Sequence, residues 1–187
     1  GQLYAGALAA VAVGGLHGGA AWPLPSGLLF AGMIVAACIA GALLLLVPAL
    51  LKSRFGVDEV VTTLLFNFIA LLLVSMLLEG VLKDPTGLGW PQSKKVIADG
   101  LLPKLVQGKR LHFGFIIAIV AAIAIWAVDR KSALGYEMRA VGHSPKAASF
   151  AGIPVNRVLA KTALLSGGLA GLAGMSEVTG LKGNLTL

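Results

Sequence analysis

The chain has 187 residues, of which 57% are hydrophobic and only 12% are charged, and its mean hydropathy is +0.90. Soluble domains carry roughly twice that charged fraction, and no charged residue occurs between positions 1 and 51, so the composition excludes a soluble domain and predicts an all-α polytopic membrane protein. The net charge of +7 fits loops beside anionic lipid, and we predict no nucleic-acid partner.

Five apolar segments are predicted to cross the membrane as helices of a single domain, because a crossing needs about 20 mostly apolar residues. They lie at residues 3–16, 28–51, 60–78, 111–128 and 154–175. The last of them contains small residues four apart, a spacing that lets helices pack closely in lipid. The chain has no initiator Met and stops without a recognisable end, so we expect a segment of a longer chain, truncated at both ends.

The third span carries polar residues within its apolar run. Thr63 and Asn67 are four residues apart and therefore share a helix face. Because polar groups at membrane depth usually face protein or water, these two side chains are candidates for the lining of a solute pathway. Hydrogen bonding between helices, or from Thr63 to its own backbone, is the other interpretation. Gln2 is a further pathway candidate at the start of the chain.

A long polar connection follows the third span at residues 81–112, with Asp84-Pro85, Gly89-Trp90-Pro91 and Leu102-Pro103 as turn signals. A loop of this length is more often functional than idle. Two interpretations remain open, a docking surface for a partner protein and a cap over the helices.

The last two spans are joined by a polar, basic and turn-rich stretch at residues 129–153, which contains the signature of a very short helix. Ser144 is a good N-cap, Pro145 suits the first helical position, and Gly152 can end the helix in a left-handed conformation. A helix of about two turns is only marginally stable alone. We therefore predict that it docks on a partner. The alternative is an ordinary solvated connection beside the lipid.

The distribution of Lys and Arg between the loops indicates how the chain is oriented in the membrane. Alternation of the spans puts residues 52–59 and 129–161 on one side of the membrane, with eight Lys or Arg, and residues 81–112 on the other side, with six. The positive-inside rule therefore favours a cytoplasmic location for the short helix.

The sequence predicts no catalytic residue, metal site or cofactor. Cys38 is the only cysteine, and no Gly-x-x-x-x-Gly-Lys-Ser/Thr phosphate-binding loop is present, so any ATP site belongs to another chain. A membrane-embedded enzyme would need a nucleophile or metal site that the sequence lacks. A secondary transporter or channel fragment remains the alternative, although ion coupling would need ionisable residues in mid-span and the spans have none.

Specific motifs resemble a known family. Residues 135–153 read Gly-Tyr-Glu-Met-Arg-Ala-Val-Gly-His-Ser-Pro-Lys-Ala-Ala-Ser-Phe-Ala-Gly-Ile, and this stretch resembles the cytoplasmic coupling loop of bacterial ABC importer permeases. The branch is the one that serves branched-chain amino acids, simple sugars and nucleosides. Residues 1–3, 51–63 and 67–70 also resemble that branch, most closely its nucleoside and simple-sugar permeases, although Asp58 stands where those commonly have Asn.

The resemblance implies a multi-pass permease subunit of the bacterial plasma membrane, forming the pathway for a small polar solute such as a nucleoside or simple sugar. It implies that the permease works as a pair, a homodimer or a heterodimer, with two cytoplasmic ABC ATPase subunits and an extracytoplasmic solute-binding protein. The residues that it implies for coupling to the ATPase are Arg139, Gly142, Ser144, Pro145, Ala147, Ala148 and Gly152.

Overall fold

The structure, a computed structural model, describes residues 1–16, 26–80, 93, 113–182 and 185. Within these residues the chain is almost entirely α-helical, which confirms the predicted all-α fold. The helices in chain order are α1 (Gln2–Leu16), α2 (Ser26–Phe55), α3 (Glu59–Glu79), α4 (Gly114–Lys131), α5 (Ala133–His143), α6 (Pro145–Phe150) and α7 (Val155–Glu177), and a π-helical turn (Val178–Lys182) follows α7.

Three helices of the described part are long and apolar enough to cross a membrane, at Leu28–Phe55, Glu59–Glu79 and Val155–Gly180. Helix α1 is also apolar but has only 15 residues. Helix α4 has 18 residues and ends in charged side chains. These helices confirm a polytopic membrane protein, whereas the arrangement with five crossings stays a prediction.

The turn between α2 and α3 follows from local chemistry. Gly56 has a φ of 67°, a left-handed value that favours glycine. Asp58 then caps α3, because the backbone N–H of Val60 donates to Asp58 Oδ1 at 2.8 Å. Together with Glu59 it supplies the acidic start that complements the helix dipole. The chain therefore reverses sharply between two long apolar helices.

Helices α1, α2 and α7 form the core and meet at glycines. A Cβ atom on Gly171 would lie less than 3.0 Å from the carbonyl oxygen of Ala37 in α2, and one on Gly174 would be as close to the carbonyl oxygen of Leu3 in α1. Gly41 of α2 and Gly167 of α7 also face each other closely, since a Cβ atom on either would lie less than 3.0 Å from the carbonyl oxygen of the other. The predicted packing role of the small residues in the last span is thus confirmed, and the three helices form one closely packed unit.

Helix α3 packs on this unit through one face only. Its Val74 and Leu78 are buried in the same cluster as Met33 of α2 and Met175 of α7. Most other large side chains of α3, such as Phe68, are exposed. An apolar helix with an exposed apolar face fits a lipid environment.

Leu185, eight residues beyond the end of α7, is bonded to the predicted long loop at one described position, Ser93. The backbone N–H of Ser93 donates to the carbonyl oxygen of Leu185 at 2.9 Å, and the N–H of Leu185 donates to Ser93 Oγ at 2.8 Å. Both residues are buried. The rest of the predicted loop at 81–112 lies outside the described residues.

Candidate docking site and solute pathway

The predicted docking stretch begins with a sharp turn between α4 and α5. Ser132 caps α5, because the backbone N–H of Gly135 donates to Ser132 Oγ at 3.1 Å. A Cβ atom on Gly135 would lie less than 3.0 Å from the carbonyl oxygens of Val128 and Asp129. Glycine at this position therefore lets the start of α5 fold back against the end of α4.

Helix α5 was missed by the sequence interpretation, which placed only one short helix in this stretch. Ser132 is an N-cap residue, and Leu134, Met138 and Val141 recur at helical spacing. This periodicity was the signal that could have revealed it. The docking stretch therefore consists of two consecutive helices.

An ion pair fixes α5 relative to α4. Arg139 Nη1 lies 3.0 Å from Asp129 Oδ1 and also donates to the Asp129 carbonyl oxygen. Arg139 was predicted to couple to a partner, and here its guanidinium has a partner within the chain. The contact joins the middle of α5 to the end of α4.

Helix α6 forms where its caps predicted it. The backbone N–H of Ala147 donates to Ser144 Oγ at 3.2 Å, and Pro145 occupies the first turn. After Phe150 the chain reverses at Gly152, whose φ is +82°. The N–H of Ile153 donates back to the carbonyl oxygen of Ala148 at 3.0 Å. The short helix predicted from Ser144, Pro145 and Gly152 is confirmed.

The inner side of α6 holds the docking stretch together. Ala148 is only 4% exposed and belongs to a small buried cluster with Val141 of α5 and Val158 of α7. Ala148 was predicted as a residue that couples to the ATPase. The structure gives it an internal packing position, where a small apolar side chain lets α6 approach both neighbours, and its role in coupling stays a prediction.

The outer side of α6 is exposed. Ala147 lies on it, and so does Phe150, which is 94% exposed. Gly142, at the end of α5, is also exposed and has open space where a Cβ atom would lie. Phe150 was missed as a candidate. It follows Ala148 by two residues and so lies on the opposite face of the helix, but the sequence alone does not show which of the two faces is buried.

The surface around α6 is basic. Residues 129–161 contain six basic and two acidic residues, a net charge of +4. The six basic residues are all exposed: Arg130, Lys131, Arg139, Lys146, Arg157 and Lys161. This surface therefore favours an acidic partner or anionic lipid.

The predicted pathway residues divide into two kinds. Asn67 Oδ1 is buried and has no hydrogen-bond partner among the residues that the structure describes. It lies beside Gly1, which immediately precedes the predicted pathway residue Gln2 at the start of α1. The Thr63 hydroxyl, in contrast, donates to the carbonyl oxygen of Glu59 at 2.7 Å. Its bond to its own helix backbone, one of the two interpretations above, is thus observed.

Metal binding finds no support in the described residues, where no group of three or more His, Cys, Asp or Glu side chains could hold an ion. The docking site and the surroundings of Asn67 can form protein contacts and hydrogen bonds.

Comparison with known families decides the class of protein. The family described as "Branched-chain amino acid transport system / permease component" matches residues 1–185. The chain belongs to this family. The resemblance found in the coupling-loop motif is thus confirmed, and family membership together with the long apolar helices confirms the predicted multi-pass membrane location.

Curated relatives of the chain are also named as ABC transporter permease proteins. The chain is 37% identical over 182 residues to a guanosine ABC transporter permease protein of Bacillus subtilis (strain 168), covering 96% of this chain and 51% of the relative. It is 36% identical over 170 residues to a glucose ABC transporter permease protein of Haloferax volcanii, covering 86% and 44%. A nucleoside ABC transporter permease protein of Lactococcus lactis is 31% identical over 162 residues, covering 81% and 44%.

The chain thus spans about half the length of the curated relatives that it matches. No solved structure matches it significantly.

Proposed function

We propose that this chain is part of the permease subunit of an ATP-driven importer in the plasma membrane. In this proposal it helps to form the pathway for a small polar solute, a nucleoside or a simple sugar, and ATP is hydrolysed by separate ATPase subunits. Membership of the permease family and the names of relatives for guanosine, glucose and nucleosides support the solute class. The chain itself is then a transport subunit rather than an enzyme.

One observation carries the proposal. The exposed outer face of α6 projects from a helix whose inner face is buried against α5 and α7. A six-residue helix is too short to be stable alone, yet the Ser144 cap and the packing of Ala148 on α5 and α7 hold this one in place. A braced helix with an exposed face is suited to docking, since little conformational entropy remains to be lost on binding.

The packing of α7 supports a mechanical route for coupling. Val158, near the start of α7, is buried with Ala148 of α6. Further along α7, Gly167 and Gly171 are in backbone contact with α2, and Gly174 with α1. A displacement of α6 would therefore move α7 together with α1 and α2, because such close-packed contacts shift as a unit rather than deform.

In the full-length protein we propose further partners. A cytoplasmic ABC ATPase subunit binds the docking stretch, a second permease subunit completes the pathway, and an extracytoplasmic solute-binding protein delivers the solute. The predicted loop at 81–112 is the candidate surface for the binding protein.

For the pathway we propose Asn67 as the central hydrogen-bonding group. A buried acceptor without a partner costs free energy, typically about 1–3 kcal/mol, so its retention fits a group that is satisfied by the solute or its water. Gln2, which follows Gly1 at the start of α1, is the second candidate, since Gly1 lies beside Asn67. Thr63 is a weaker candidate, because its hydroxyl proton is already used within α3.

Uptake measurements test the proposal. The full-length permease is placed in vesicles with its ATPase subunits and binding protein, and entry of labelled nucleosides and simple sugars is measured. Uptake should stop when the ATPase subunits carry a substitution that abolishes ATP hydrolysis. Undiminished uptake would instead favour the alternative, a secondary transporter or channel, and would contradict the proposal.

A further inference from the structure

The exposed aromatic ring of α6 calls for an explanation. Phe150 is 94% exposed, the largest exposure among the large hydrophobic side chains of the described residues. Its neighbours in the chain, Ser149 and Ala151, are small and also exposed. The ring therefore projects on its own from the end of a short braced helix.

The position of Phe150 on α6 is set by the helix geometry. Phe150 follows the buried Ala148 by two residues, which at 3.6 residues per turn corresponds to a rotation of about 200°. Lys146 precedes Phe150 by four residues and so lies on the same outward face. The outward face of α6 thus combines one aromatic ring with one positive charge.

We propose that Phe150 is the anchor of the docking site and inserts into an apolar pocket with an acidic rim on the ATPase subunit. This inference rests on the proposed function and names the chemistry of its partner surface. Aromatic residues dominate the binding free energy of many protein interfaces when they fill a desolvated pocket at the centre of the contact.

The acidic rim follows from charge complementarity. Lys146 is exposed and shares the outward face with the ring. A partner that receives Phe150 must therefore accommodate positive charge around the pocket, and acidic side chains do so while speeding association. The same charge would attract anionic lipid, so a lipid-embedded ring is the competing outcome to be excluded.

Binding of the full-length permease to its ATPase subunits in detergent tests the anchor. We expect Phe150→Ala to weaken binding about tenfold or more, while Phe150→Trp retains it. Phe55→Ala is the matched control, since Phe55 is an exposed aromatic residue at the end of α2, outside the docking stretch (74% exposed), and it should change binding less than about twofold.

Two outcomes would overturn the inference in different ways. If the wild type binds the ATPase subunits and Phe150→Ala binds equally well, the anchor is wrong and the proposed function stands. If the wild type itself does not bind, the proposed function fails and the anchor fails with it.

A labelling experiment distinguishes the ATPase from lipid. A cysteine is introduced by Phe150→Cys in full-length protein that lacks other cysteines, Cys38 included, and is treated in vesicles with a membrane-impermeant thiol reagent from the side that binds the ATPase. We expect rapid labelling of the permease alone and strong protection after the ATPase subunits are added. Absence of labelling in both states would place the ring in lipid, and equal labelling in both would leave it outside the interface. Either result would overturn the inference.

Discussion

Arg139 Nη1 lies 3.0 Å from Asp129 Oδ1, so the middle of α5 is joined to the end of α4 by an ion pair. Both side chains are roughly 40% exposed, and exposed ion pairs typically contribute only about 0–1 kcal/mol to stability. The pair therefore matters for the orientation of the docking stretch more than for the stability of the fold.

A double-mutant cycle tests this orienting role. Asp129→Ala and Arg139→Ala should each reduce ATP-driven uptake, while the free energy of unfolding changes by less than about 1 kcal/mol. The double variant should be no worse than the single ones, because all three lose the same contact. If the effects on uptake simply add, Arg139 acts through another contact and the orienting role is wrong.

Gly171 should not tolerate even a methyl group. In Gly171→Ala the new Cβ would lie less than 3.0 Å from the Ala37 carbonyl oxygen, and overpacking of this kind costs about 1–3 kcal/mol. Gly168→Ala is the control on the same helix, since its Cβ would be 3.6 Å from the nearest atom, an ordinary contact. Thermal unfolding of the full-length protein should give a lower Tm for the first variant only, and equal values would refute the close packing.

Two glycines of the docking stretch should respond in opposite ways to alanine. Gly152→Ala should destabilise by about 1–2 kcal/mol, since residues with a side chain disfavour its φ of +82°. Gly142→Ala should be neutral or stabilise by up to about 1 kcal/mol, because Gly142 is helical and has open space around it. The Tm values of the two variants check this order. Loss of uptake in a stable Gly142→Ala variant would indicate a partner contact.

Asn67 and Thr63 provide a matched pair for the solute pathway. Asn67→Leu should abolish uptake, because it removes the proposed hydrogen-bonding group of the pathway. It should not lower the Tm, because Asn67 Oδ1 is buried without a hydrogen-bond partner in the described structure. Thr63→Val should leave uptake nearly unchanged, since the Thr63 hydroxyl bonds to the carbonyl oxygen of Glu59. Uptake with unaltered solute selectivity in Asn67→Leu would remove Asn67 from the pathway.

Locally encoded features of the fold could be predicted from the sequence. Each end of α6 is determined by residues within about one turn of it. Ser144 and Pro145 at the start and Gly152 after the end therefore predict the short helix from the sequence alone. Long apolar runs likewise predict helices, because a lipid environment leaves few other ways to satisfy the backbone.

Features that depend on packing between distant residues could not be predicted in the same way. The inward position of Ala148 depends on Val141 and Val158, and the burial of Asn67 depends on the start of α1. Sequence spacing gives the face of a helix on which a residue lies, but it does not tell what that face contacts. For this reason the sequence did not reveal that Ala148 faces inward and Phe150 outward.

ATP-driven uptake by the full-length Ala147→Glu variant is the most direct measurement of whether α6 couples this permease to an ATPase. Ala147 is exposed on the outer face of α6, unlike the buried Ala148, so a glutamate there should leave the fold intact. Ala147→Ser is the control of similar size. We predict that the glutamate variant reaches the membrane at normal levels with a normal Tm but loses most of its uptake. Uptake equal to that of the wild type would contradict coupling through this helix.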